Sequence, residues 1–312
     1  VKKNINIFSI ISTLVLSGFT TSLLASDKLC LASNNDCTFV LLSENISETV
    51  SEIIDENLNA RTGDSSEKVM QTSSVSEANE ILSIVNEARA KERLSPFSTF
   101  KIPNSLIALD SKLITSAKQS LTYDKEKYPT EAWWPSTWQL SEYNLAAAFK
   151  FSIVPIYRQI ATDIGEETMK TYIENFTYGN EDISSGLDNF WLNGSLKISA
   201  IEQIEFLQKL NQGHLGVSQQ SLDTLKAIML VETTDNYLLY AKTGTGTIDN
   251  MVNDETKSST LKLGWYVGFV ENSQGVHYFA FNFSRNSYNN MNTERIEIVR
   301  NHLRKAGVID QP

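Results

Sequence analysis

Histidine, cysteine, positive charge and long apolar runs are all scarce in this 312-residue sequence, and each scarcity excludes something. The three histidines, His214, His277 and His302, lie far apart and form no HExxH or similar spacing, so no zinc site is expected and metal-assisted hydrolysis drops out. Lys and Arg total 27 against 37 Asp and Glu, a formal net charge of −10. That is the wrong sign for holding a phosphate backbone, and no nucleic-acid partner is expected. Past residue 26 no stretch is apolar enough to span a membrane, and no internal repeat is visible. What is present is a 41% hydrophobic, 21% charged composition, that of a globular chain with a sizeable core.

The first 26 residues have a basic start at Lys2 and Lys3, an apolar run centred on Ile7 to Leu16, and small polar residues ending in Ala25-Ser26. This pattern predicts a secretory signal over 1–25 with cleavage near Ala25, export across the inner membrane and a periplasmic location. A retained membrane anchor is disfavoured because Asn4, Asn6, Ser9, Ser12 and Thr13 interrupt the run. Only two cysteines follow, Cys30 and Cys37. In an oxidising compartment they form a small local disulfide loop, the alternative being two unpaired thiols; neither has a catalytic setting.

Thr38–Leu42 reads as a buried strand, and 43–76, rich in Ser, Glu, Asp, Asn and Thr, as a polar insertion. Ile81 to Ala88 fits a short helix or a strand equally. A helix is expected from about Ser98 to Leu109, with further helical patterns over Asn144–Ile164, Glu166–Phe176 and Ser199–Leu210. Tyr237–Lys242, Lys262–Glu271 and Val276–Ser284 are β-branched or aromatic runs between polar turns, and Thr293–Ala306 closes as a helix. Strands at both ends flank a helical middle. The expectation is one catalytic domain over 26–312: a sheet lobe from about 28–97 and 233–312, and a helical lobe over about 98–232.

Three short motifs carry chemistry. Ser98-x-x-Lys101 places a hydroxyl and an amine on one helical face, with Phe97, Phe100, Ile102, Leu106 and Ile107 around them. An amine dry enough to lose its proton activates such a hydroxyl as a nucleophile; the bland alternative is a helix-start serine beside a solvated lysine. Lys242-Thr243-Gly244 ends an apolar strand at a glycine where a substrate backbone can approach closely, although an exposed strand end would read the same way. Ser152-Ile153-Val154 says nothing alone but falls between the other two.

The runs Ser95–Asp110, Ser152-Ile153-Val154-Pro155, Tyr178-Gly179-Asn180, Phe190–Ser199 and Lys242-Thr243-Gly244, in this order, resemble the motif set of the class D, oxacillinase-type, serine β-lactamases. The resemblance covers about residues 86–308. It implies an α/β fold of the β-lactamase/penicillin-binding-protein (DD-peptidase-like) type, with a mostly antiparallel sheet flanked by helices. It implies Ser98 as the nucleophile on a β-lactam substrate, and Lys101 carrying a CO2-derived carbamate as general base, with no other cofactor and no metal. Trp191 would donate its indole N–H to that carbamate and Val154 would wall it off. Ser152 and Lys242 would relay protons. Thr243, Gly244, Thr245, Arg295 and Tyr178 would contact the substrate, with the Ser98 and Thr245 backbone N–H groups forming an oxyanion hole.

Two departures from the family pattern stand out: the long 43–76 insertion, and a long polar loop over Thr245–Leu261 beside the site. The rival readings are a β-lactam sensor domain, which keeps its acyl adduct, and a peptidoglycan transpeptidase, which generally has Asn where this chain has Val154. Sensors of that kind also sit behind transmembrane helices and a protease module, which this chain is read as lacking. No stable membrane partner is expected, and a homodimer is left open.

Overall fold

The computed structural model describes residues 28–31, 35–45, 80–250 and 259–311. The signal-like segment and most of the polar insertion lie outside the described residues. Six strands form one antiparallel sheet in the order β2-β1-β8-β7-β6-β5: β1 Cys37–Asn45, β2 Glu80–Val85, β5 Leu230–Thr233, β6 Tyr237–Asn250, β7 Ser259–Asn272 and β8 Gly275–Arg285. Two short strands, β3 Ser120–Leu121 and β4 Tyr143–Asn144, pair separately in the helical lobe.

Both faces of the main sheet are covered, which is why its central strands read as almost unbroken apolar runs. In β8, Tyr278 and Ala280 enter the main core with the helical lobe, while Phe279, Phe281 and Phe283 enter a second core. That second core includes Met291, Ile298, Val299 and Leu303 of the last helix, Met291–Lys305. In β1, Val40 and Leu42 likewise face the first core, and Phe39 and Leu41 the second. Strands from both ends of the chain thus build the sheet; the helices of the helical lobe lie between them in sequence, and the last helix follows β8.

The structure corrects several expected boundaries. Ser43–Asn45, read as the start of the insertion, continues β1. Ile81–Val85 resolves as strand β2 and Glu87–Lys91 as a short helix. Helix Gln219–Met229, capped by Ser218, and strand β5, whose start at Leu230 lies just before the expected lobe boundary, were not singled out by periodicity. The described part of the expected polar loop over Thr245–Leu261 is strand: β6 and β7 stay paired from Tyr237↔Asn272 out to Asn250↔Ser259.

The pattern over Asn144–Ile164 is not one helix but two, Leu145–Lys150 and Val154–Ile164. Pro155 explains the break: it has no N–H to bond the Phe151 carbonyl four residues earlier and its ring crowds that carbonyl, so it is accommodated only in the first turn of a new helix. Ser152 takes φ 58° in the gap, a left-handed conformation that a serine adopts at a cost. The break therefore turns a candidate catalytic hydroxyl out of the helical ladder.

Candidate active site

Ser98 lies in the 3-10 turn Phe97–Phe100, which leads directly into helix Lys101–Asp110. In a 3-10 turn residues i and i+3 eclipse, so Ser98 and Lys101 stack on one side. Lys101 Nζ donates to Ser98 Oγ at 2.9 Å. The lysine is fully buried and no described carboxylate pairs with it; its Nζ sits 4.9 Å from the centroid of the Tyr157 ring. Burial, and then the nearby charge of Lys242, hold its amine well below the ordinary lysine range.

Trp191 closes another side of this shell. It stacks on Phe100 at 5.3 Å, is fully buried, and its indole Nε1 has no hydrogen-bond partner among the described residues. A buried donor without an acceptor is costly, so an acceptor supplied to this N–H would be stabilising. Val154, the first residue of its helix, packs half-buried against the same core.

Strand β6 forms the opposite wall. Lys242, 5% exposed, donates to Ser152 Oγ at 3.2 Å and to the Thr243 carbonyl at 3.1 Å. Burial first, and the Arg295 charge second, lower its amine to about 7, so near neutral pH it can either hold or release a proton. Gly244 meets the Ser98 turn: a Cβ there would stand 2.8 Å from the Pro96 carbonyl oxygen and 3.1 Å from Thr99 Cγ2. Only glycine allows that approach. The turn itself is anchored from three sides, by Phe97 N–H to the Trp191 carbonyl at 3.0 Å, Trp265 Nε1 to the Ser95 carbonyl at 2.9 Å, and Gln203 Nε2 to Thr99 Oγ1 at 3.0 Å.

Arg295 is no surface arginine. It is 3% exposed, and its Nη1 donates to the Gly244 carbonyl at 2.7 Å and Thr245 Oγ1 at 2.6 Å, while Nη2 donates to Asn292 Oδ1 and Nε has no partner among the described residues. Burial lowers its pKa to about 10, which leaves it a cation at neutral pH.

Tyr178 is a correction. It is fully buried, edge-on to Phe100 and Phe206, and so out of reach of a substrate. Its motif has a different use: Gly179 takes φ 62° against the Lys197 carbonyl, and Asn180 bonds the Ser195 carbonyl and the Lys197 N–H, fixing the segment that follows Trp191. Cys30 and Cys37 form a disulfide far from this site, beside β8 and the last helix.

Sequence reading missed Tyr157, whose ring lies under Lys101 and whose hydroxyl meets Ser105 Oγ at 2.8 Å. Its place on the apolar stripe Ile153, Ile156, Tyr157, Ile160 made it look like core alone. Among the described residues no cluster of His, Cys, Asp or Glu could hold a metal ion, and no helix is long and apolar enough to cross a membrane.

A serine at the seam beside a dry lysine, a second serine–lysine pair and a buried arginine holding the strand, set in an antiparallel sheet with a helical lobe, define a protein of the penicillin-binding and β-lactamase fold. Residues 58–304 match the penicillin binding protein transpeptidase domain family. The chain is 41% identical over 197 residues to β-lactamase OXA-48 of Klebsiella pneumoniae, covering 63% of this chain and 68% of that one. It is 36% identical over 226 residues to the probable β-lactamase YbxI of Bacillus subtilis, covering 72% and 76%. The crystal structure of FUS-1 (OXA-85), a class D β-lactamase from Fusobacterium nucleatum subsp. polymorphum, superposes with a TM-score of 0.68 at 29% identity over 88% of this chain and 94% of that one. The chain belongs to the class D β-lactamases.

Proposed function

We propose that this enzyme hydrolyses penicillin-type β-lactams through an acyl-Ser98 intermediate, with an N-carboxylated Lys101 as general base, and so confers resistance to them. The observation that carries the reading is that one turn, Phe97–Phe100, leads straight into the buried, neutral-leaning Lys101 and is also the surface against which Trp191, with its orphaned indole N–H, packs. A neutral amine adds to CO2, forming an N–C bond and releasing one proton; the resulting anion wants a buried donor, and Trp191 supplies one. Once formed, that carboxylate is the general base that takes the Ser98 proton and later one from the attacking water.

The remaining roles follow from position. Ser98 Oγ attacks the lactam carbonyl carbon, the C–N bond breaks, and the departing nitrogen takes a proton by way of Ser152, which Lys242 serves at 3.2 Å. Arg295 with Thr243 and Thr245 offers a cationic edge for the substrate carboxylate. Water then breaks the Ser98 ester, the step that separates a lactamase from a protein that stays acylated. The two tightly packed walls exclude bulk water from this chemistry.

Purified protein mixed with a penicillin and a chromogenic cephalosporin, with and without added bicarbonate, is the test. Sustained hydrolysis that rises with bicarbonate is expected. A stoichiometric burst without turnover would overturn the reading in favour of a penicillin-binding or sensor role.

A further inference from the structure

Phe97, immediately before the nucleophile, has a conformation that calls for a cause. It takes φ 48°, in the left-handed region that a bulky side chain enters only when its surroundings compel it. Its side chain is nonetheless almost wholly buried, at 4% exposure. The compelling contact is on β6. A Cβ at Gly246 would fall inside the Phe97 ring, against Cδ1, Cε1 and Cζ, so the ring fills the notch that this glycine leaves open. Gly244, two residues earlier on the same face of β6, receives the backbone of the same turn at Pro96 and Thr99. The Ser98 turn is thus seated on β6 at two successive glycine notches, one filled by backbone and the next by an aromatic ring.

We infer that Phe97 and Gly246 form a ring-in-notch lock that positions Ser98 for acylation. This rests on Ser98 being the nucleophile. Phe97 touches no reacting atom in this account and is a positioning residue. The lock holds the backbone just ahead of Ser98, whose Oγ must meet Lys101 Nζ on one side and the substrate carbonyl on the other. With the Phe97 N–H fixed to the Trp191 carbonyl at 3.0 Å, one residue ties the nucleophile to both the β6 wall and the Trp191 wall. A shift of about 1 Å in such a group costs on the order of 100-fold in rate. The lock also predicts an asymmetry between steps. Acylation depends on where the Ser98 Oγ and N–H sit relative to a free incoming carbonyl, whereas release of the ester starts from a carbonyl already tethered to Ser98 and should lose less.

The test is a size swap across the contact. Gly246→Ala puts a methyl group where the ring lies and should slow acylation of Ser98 by on the order of 100-fold. Phe97→Ala removes the ring and should slow it less, about tenfold, because the turn loosens without being displaced. The double variant F97A/G246A relieves the clash and should acylate at least as fast as F97A alone, a rescue that independent structural damage would not give. Acylation and deacylation rate constants are measured separately by single-turnover mixing and intact mass, and thermal unfolding is recorded for every variant. A loss clearly larger in acylation than in deacylation, with rescue in the double variant, is the expected result. Additive losses, or equal slowing of both steps, would overturn the lock while leaving the proposed function intact. A wild-type protein that never acylates would instead overturn the proposed function itself.

Discussion

A lysine serves as a base, or carries a group that does, only while its shell keeps it neutral, and at residue scale that shell is the centre of this enzyme. Phe100 stacks on Trp191, Tyr157 lies beneath the amine, and neither contributes a charge. Trp191→Phe keeps a ring in the shell and removes only the donor. A lost hydrogen bond to a charged group costs ~1.5–3 kcal/mol, so turnover should fall about 10- to 100-fold, with partial recovery at high bicarbonate. Steady-state rates across a bicarbonate series check this, and wild-type turnover with wild-type bicarbonate dependence would refute the donor role. Most of this site was legible because its chemistry needs particular residue types at fixed spacings, as in Ser98 and Lys101. Tyr157 was not, since an aromatic on an apolar helical stripe is the same signal whether it packs core or shields a lysine.

At the scale of elements, the site depends on where regular structure stops. The gap between Leu145–Lys150 and Val154–Ile164 frees Ser152 to meet Lys242, and the gap follows from Pro155. Hydrophobic periodicity ran through this break because both helices present apolar faces to one core. The β6–β7 extension was misread for a related reason: Thr, Gly, Asp and Asn are turn formers by composition, yet cross-strand pairing held them in register. The last helix is bound to β6 by Arg295, whose guanidinium holds the Gly244 carbonyl and the Thr245 hydroxyl. Arg295→Ala leaves those acceptors buried without a donor, a cost of ~1–3 kcal/mol for each unsatisfied group, and removes a cation from the substrate edge. KM should rise at least about tenfold and the melting temperature should fall. Arg295→Lys, which keeps the charge but not the planar fork, should recover stability more than KM. An unchanged KM in Arg295→Ala would show that the arginine only fastens the helix.

For the whole molecule, the sheet built from both chain ends joins two cores, and two imidazoles sit where those ends meet. His277 of β8 lies between Ser43 Oγ at 2.8 Å and Asn272 Oδ1 at 3.1 Å. His302 of the last helix stacks on Phe39 at 4.3 Å and accepts the Cys30 N–H at 3.1 Å. Burial lowers both to about 4, below the unfolded value near 6.5. Between those limits the unfolded chain binds more protons, so stability is full above about pH 6.5 and is lost as pH falls towards 4. Thermal melts across that window should show the loss, and His302→Gln should flatten it; a slope unaltered by that change would mean the acid sensitivity arises elsewhere. Strands at both ends of the chain around a helical middle made the sheet-and-helix plan legible from sequence, whereas the His277–Ser43 and His302–Cys30 contacts join residues more than 200 positions apart and left no local trace.

The central claim is that Ser98 is acylated and then freed. Intact mass of the wild-type protein and of Ser98→Ala, quenched at intervals during reaction with a penicillin, tests it most directly. A transient gain of one substrate mass, mapped to Ser98, should appear and then disappear as hydrolysed product accumulates, with neither adduct nor product in S98A. Turnover in S98A, or a wild-type adduct that persists after the substrate is gone, would contradict it.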